Sequence, residues 1–172
     1  MTDREKTTPF RDWWARNDPA TTPSADRAVF ARLRRCGTPE QALMEPAALL
    51  LARRLGLDAH QVDQLKRVGV IAAVLAHVRT DEPQTRFAQR LGAGDPAPLS
   101  RLRFGALMTA APGAAQLDAF RRAVAIAGRT ANVQDLGGAL WRWDEHRRLD
   151  WTFRYWGAGA AASAIDIKES SL

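Results

Sequence analysis

Residues 60–78 read HQVDQLKRVGVIAAVLAHV, and this run decides the fold class. From Val68 to Val78 it is apolar on every side. A helix of that kind is buried, so the run reads as the central helix of a bundle. Working outward, periodicity stays helical and no alternating strand stands out. Upstream, Pro9–Arg16 forms a short helix carrying Phe10, Trp13 and Trp14, which NDPATTP breaks. Ser24 is the expected cap of a second helix running through Cys36, with the stripe Val29, Leu33 and Cys36 at i, i+4, i+7. Gly37 stops it, and a third helix ends at Gly56 with Pro46 in its first turn. Downstream, TDEPQT turns into a short helix ending at Leu91.

GAGDPAP, dense in Gly and Pro, reads as a linker. Beyond it lie Leu99–Ala111, striped by Phe104, Leu107, Met108 and Ala111, and Ala114–Ala127, striped by Leu117, Phe120, Val124 and Ala127. Asp135–Trp143 follows with Leu136, Leu140 and Trp143, and a last helix reaches Trp156. The expected architecture is all-α: two packed helical bundles, 1–92 and 99–157, joined by a linker at 93–98. Residues 158–172 read as a flexible tail.

The 172 residues are 46% hydrophobic and 26% charged, ordinary for a globular chain. Lys+Arg number 25 against 19 acids, a net charge of +6. Lysine occurs only as Lys6, Lys66 and Lys168, so arginine dominates. Guanidinium is planar, permanently charged and forks onto oxyanions, which suits phosphate; a GC-rich genome produces the same bias without any structural cause. Cys36 is the single cysteine, which excludes an internal disulfide, and His60, His77 and His146 lack metal-ligand spacing. No apolar h-region opens the chain and no run approaches the ~18 residues of a membrane span, so a cytoplasmic, reducing setting without membrane contact is expected.

The segment 139–157, ALWRWDEHRRLDWTFRYWG, interleaves four tryptophans with four arginines. On a helical wheel Leu149, Phe153 and Trp156 make one apolar face, expected to be core. Arg147, Trp151 and Arg154 make a second, with Arg148 and Tyr155 beside them, expected to be surface. That second face reads either as a nucleic-acid track or as Trp151 packed on a neighbour under snorkelling arginines. Other arginines add to it. Arg122 and Arg129 share a face at i, i+7 with Arg121 at its edge; Arg101 and Arg103 flank the Phe104 stripe; Arg27 and Arg34 share a face next to Arg35. Residues 97–157 carry nine Arg and five acids, an electrostatic footprint on several helices of one bundle.

Metal-binding HExxH, phosphate-loop and nucleophile-elbow motifs are all missing. Asp144 and Glu145 diverge by about 100° on a helix and make a poor acid/base pair. Cys36 lies on an apolar stripe, where a thiol is inert. The chain therefore reads as a non-enzyme without cofactor or metal. No zinc finger, basic zipper or recognition helix supports sequence-specific DNA reading either.

Taken together, FRDWWARN, FARLRRCGTPEQAL, LSRLRFGALMTA, AFRRAVAIAG and ANVQDLGGALWRWDEHRRLDWTFRYWG resemble the CasB family, small subunits of the type I-E CRISPR surveillance complex Cascade. The resemblance spans roughly residues 10–157; Leu33–Arg35, Arg103–Phe104, Phe120–Arg122 and the terminal Trp–Tyr helix are its most specific pieces. It implies a non-catalytic protein of two helical bundles, with two copies lying head to tail beside the backbone subunits of a crRNA-containing assembly. It implies a basic surface that holds target and displaced strands of R-loop DNA without reading sequence. Arg103 and Arg122 fall on positions that look DNA-facing, with Arg34, Arg35, Arg101 and Arg121 adjacent to them and Arg147 and Arg148 on the last helix. The chain departs from relatives at Asp144 and Glu145, where they often carry basic residues just after the paired aromatics. Two other functions fit a basic helical protein: an adaptor docking an acidic protein, and a stand-alone nucleic-acid-binding regulator.

Overall fold

A computed structural model describes residues 8–157; the tail expected at 158–172 lies outside the described residues. Ten helices occupy most of the described chain: α1 Pro9–Asn17, α2 Ala28–Arg35, α3 Pro39–Leu43, α4 Pro46–Arg54, α5 Val62–Leu75, α6 Phe87–Gly92, α7 Arg101–Thr109, α8 Ala114–Ile126, α9 Val133–Trp141 and α10 Glu145–Gly157. The all-α class stands, with one addition. Thr80–Asp81 (β1) and Thr130–Ala131 (β2) pair in parallel, a two-residue ladder too short to leave an alternating signature.

Local chemistry explains the boundaries. The stretch expected as one helix up to Gly56 is two, because Pro39 and Pro46 each start a helix and Thr38 caps α3 by accepting from Gln41 N–H at 3.2 Å. Ser24 does not cap α2; the cap position is Arg27, and just ahead of it the Asp26 carboxylate accepts from Ala28 N–H at 2.9 Å in a local turn. Asn132 accepts from Asp135 N–H at 3.1 Å and opens α9 two residues before the expected start.

Helix α5 is the centre. Val68 to Leu75 are all buried, and α2, α3, α4, α8 and α9 pack around them. Elements from both sides of 93–98 thus share contacts: α10 lies on α6, α1 on α9, α8 and α9 on α5. Segment 93–98 itself is largely exposed, and Leu99 N–H donates to Leu91 C=O at 3.1 Å across it. The α6–α10 approach is so close that a Cβ on Gly92 would overlap the Tyr155 carbonyl oxygen.

Two aromatic clusters fill the core. Near α1, Trp13 and Trp14 pack on Phe30, and their indole N–H groups donate to Ala47 C=O (2.8 Å) and Val78 C=O (3.3 Å). The other surrounds Trp151, whose ring centroid lies 5.0 Å from Trp143, 5.6 Å from Phe120 and 5.9 Å from Phe87. Tyr155 stacks on Phe104 at 4.0 Å and donates its hydroxyl to Leu99 C=O at 2.6 Å.

This reverses the expected facing of α10. Trp151 is 1% and Tyr155 3% exposed, whereas Leu149 is 63% and Phe153 84% exposed, and Trp156 is only partly buried. The helix carries two aromatic stripes. The inward one is that whose Trp and Tyr tips meet partners: Phe87 of α6, Phe120 of α8 and the Leu99 carbonyl.

A polar knot ties α1, the segment around β1 and the start of α9 together. Arg11 of α1 pairs with Asp81 (2.6 Å) and Asn132 (2.9 Å), while Asp81 also accepts from Val133 N–H at 3.0 Å. Asp135, 9% exposed, accepts from Arg86 (2.7 Å) and from Phe87 N–H (2.9 Å). Both carboxylates join segments about fifty residues apart, and both are matched by cations, as buried charges require.

Candidate nucleic-acid interface

The C-terminus of α8 builds the centre of the basic surface. Gly128 adopts φ +71°, Arg129 N–H donates to Val124 C=O at 2.9 Å, and the helix closes in a Schellman turn. Arg129 follows at φ +58°, a left-handed position that a long side chain rarely takes. Its carbonyl accepts from both Arg79 N–H (2.8 Å) and Thr80 N–H (3.2 Å). The β1–β2 ladder continues from there, so Arg79 and Arg129 are held side by side. Arg129 was expected on the face of a helix; it lies past the helix end, turned toward α5 and α2.

Arg34 arrives from α2. It is half-buried, and its guanidinium donates to Ala76 C=O at 3.2 Å. Its pKa is pushed down by burial first, then by Arg79, Arg129 and Arg35. His77 sits among the same groups. Burial, followed by Arg121, Arg34 and Arg129, lowers its pKa to about 4, so it is neutral at pH 7. Its Nε2 is buried without a hydrogen-bond partner. Three separate segments thus bring Arg34, Arg79 and Arg129 together, with exposed Arg35 at the edge. Among the described residues no carboxylate pairs with any of these four.

Arg121, whose charge also lowers the His77 pKa, adjoins this cluster. The Asp118 carboxylate binds Arg121 (Nε at 2.9 Å) and Arg122 (2.9 Å), two consecutive residues of α8. Arg122 in turn lines a groove of ≈ 320 Å³ between α7 and α8, together with Arg103. Arg34, Arg35, Arg121, Arg122 and Arg103 therefore form one connected band, with Arg79 and Arg129 inside it.

The remaining expected residues lie apart from these contacts. Arg101 places its guanidinium over the Trp156 ring at 4.9 Å, a cation–π contact that covers the C-terminal end of the second stripe of α10. Arg147 lines a different depression with Arg11 and Arg86, beside the polar knot. Arg148 is half-buried on α10 and forms no ion pair with the described residues. Asp144, one of the two acids that depart from the family pattern, caps α10: its carboxylate accepts from Arg147 N–H at 2.9 Å, which lowers its pKa.

Sequence reasoning missed Arg79 altogether and misplaced Arg129. The signal available was the Ala127–Gly128 helix stop, which puts the next residue beyond α8. Their partnership rests on a two-residue ladder between positions fifty apart, which no local pattern announces. Cys36 is buried, donates to Arg32 C=O at 3.4 Å and has its pKa raised by burial, as an inert core thiol should. No helix among the described residues is long and apolar enough to cross a membrane, and no group of three His, Cys, Asp or Glu among them is placed to hold a metal.

The fold has a counterpart in a chain of the crystal structure of E. coli Cascade bound to a PAM-containing double-stranded DNA target, with a TM-score of 0.62. The alignment covers 86% of this chain and 91% of that one at 17% identity, a likeness of fold. No curated protein matches the chain in sequence. The family model described as CRISPR-associated protein Cse2 matches residues 29–156. That span includes every helix from α3 to α9, the β1–β2 ladder and the whole arginine band, and with it the chain belongs to the CRISPR-associated Cse2 family, the CasB family of the sequence resemblance.

Proposed function

We propose that this protein is the non-catalytic small subunit of a cytoplasmic type I-E Cascade, and that its arginine band holds R-loop DNA, target and displaced strands alike, without reading sequence. The observation that carries this reading is the convergence of Arg34, Arg79 and Arg129 around a neutral His77. Gathering like charges costs stability; Arg34 has the Ala76 carbonyl as a partner, and no carboxylate among the described residues pairs with any of the three. A polyanion supplies the missing counter-charge. Guide pairing with the crRNA supplies specificity, and phosphate contacts tip a nearly balanced strand exchange.

Assembly needs protein contacts too. Leu149 and Phe153 leave an apolar patch on α10, which supports docking by another Cascade subunit or a second copy of this chain. An adaptor for an acidic protein remains the competing function, and salt dependence separates the two. Each neutralised phosphate releases counterions, so log affinity falls linearly with log salt.

The test combines Arg34→Ala, Arg79→Ala and Arg129→Asn, the last because Asn tolerates the left-handed backbone. Binding to scrambled single-stranded and duplex DNA is measured by fluorescence anisotropy across a salt series, and R-loop lifetime is measured in the assembled complex. The salt slope is expected to fall by about two to three units with folding intact. A wild-type slope and a wild-type R-loop lifetime in the triple variant would refute the assignment.

A further inference from the structure

A cleft lies away from the arginine band, at the opposite ends of α5 and α8. Its volume is ≈ 570 Å³, within the range of small-ligand sites. The first turns of α5 and α8 frame it, and Trp143, Leu140, Pro39 and Pro112 form its apolar walls.

Gln116 stands in its lining. The residue is 6% exposed, yet its side-chain amide makes no hydrogen bond to any described residue. An amide is one acceptor and two donors, and here they are not sealed off from solvent but open into the cleft, unused by the chain itself. Three residues away, α8 begins at Gly113, φ +95°, with no side-chain cap. Gln116 and Leu117 N–H donate back to Ala111 and Gly113, which leaves the amides of Ala114 and Ala115 free at the positive end of a 13-residue helix.

The rim carries mixed charge. Lys66 pairs with Glu40 at 3.7 Å, Arg67 donates to Trp141 C=O at 3.3 Å, and Asp63 stands beside them. The rim is near neutral, so the α8 N-terminus is the cleft's main source of positive field for a phosphate, while the walls accept an apolar, hydrogen-bonding body.

We infer that this cleft binds a nucleoside 5′-monophosphate unit, its base between the Trp143 and proline walls with an edge on the Gln116 amide, and its phosphate on the α8 N-terminus near Lys66 and Arg67. The chemistry fits both an unpaired nucleotide of a bound strand and a free mononucleotide. The inference rests on the nucleic-acid reading above and adds a base pocket to a chain that otherwise contacts only backbone.

Calorimetry on the full chain with the four deoxynucleoside monophosphates, deoxyribose 5-phosphate and inorganic phosphate tests it. Nucleotides are expected to bind more tightly than deoxyribose phosphate, and inorganic phosphate is expected to bind weakest. Gln116→Leu, close in volume, should weaken nucleotide binding about tenfold, the loss of one or two hydrogen bonds. Ala114→Asp provides an independent check: the residue is exposed, a carboxylate suits a helix N-terminus, and it should repel the phosphate while the fold holds. Competition by a short homopolymer identifies a strand nucleotide as the source; its failure to compete identifies a free mononucleotide.

No detectable nucleotide binding at millimolar concentration would overturn the inference. So would equal affinity for deoxyribose phosphate, or unchanged affinity in both variants. The Arg34/Arg79/Arg129 variant should retain mononucleotide binding while losing its salt slope, so the two readings fail separately.

Discussion

Replacing Trp151 and Phe153 in turn distinguishes the two faces of α10 sharply. Trp151 is 1% exposed, with Trp143, Phe120 and Phe87 all within 5.9 Å of its ring. Truncating a buried Trp to Ala removes its transfer energy and leaves a cavity, about 3–5 kcal/mol together. In a domain of this size each kcal/mol shifts the melting temperature by about 2–4 °C, so Trp151→Ala should melt some 6–20 °C lower. Phe153, two residues along, is 84% exposed, and its truncation should stay within about 0.5 kcal/mol. Far-UV circular dichroism is the suitable assay, because removing a tryptophan alters the fluorescence baseline. Urea midpoints give the same ranking independently. Phe153→Ala should reveal itself instead in assembly, as weaker incorporation into the complex. Equal losses of stability, or a larger loss for Phe153→Ala, would refute the facing of this helix.

His77 makes the fold sensitive to acid. Its pKa is about 4 in the folded chain against an ordinary 6.5, so the unfolded state binds the proton first and stability falls as pH drops from about 6.5 to 4. Allowing for solvent screening of this half-buried group, the linkage is worth about 1–3 kcal/mol, and His77→Gln should flatten that part of the stability-versus-pH curve measured by urea unfolding. Gly92→Ala should destabilise by about 1–3 kcal/mol or more, read as a lower urea midpoint, because its Cβ meets the Tyr155 carbonyl. Asp118→Asn frees Arg121 and Arg122 from their shared carboxylate and should steepen the salt slope of DNA binding; an unchanged slope would place both arginines outside the phosphate track.

The helices themselves were legible in the sequence, since their stripes, prolines and glycine stops are local signals. Val68–Leu75, apolar all round, announced the buried centre, and Phe104, Leu107, Leu117, Phe120 and Val124 fell on the inner faces their spacing indicated. The arginine excess was equally plain, because composition needs no fold. What periodicity could not decide was α10, where two aromatic stripes satisfy the same spacing. A wheel places Trp151 and Phe153 on different faces but does not say which faces inward. Phe87, Phe120 and the Leu99 carbonyl decide that, and they arrive from other elements. The same holds for the candidate sites. Arg34, Arg79 and Arg129 meet because α2, the end of α5 and the Schellman turn of α8 converge on one short parallel ladder. Gln116 looks like an ordinary helical glutamine until Pro39 and Trp143 close a cleft over it. Sequence determines which residues can share a helix face, through a repeat of 3.6. Only tertiary contact decides what that face meets, because burial belongs to pairs of elements and not to any one of them.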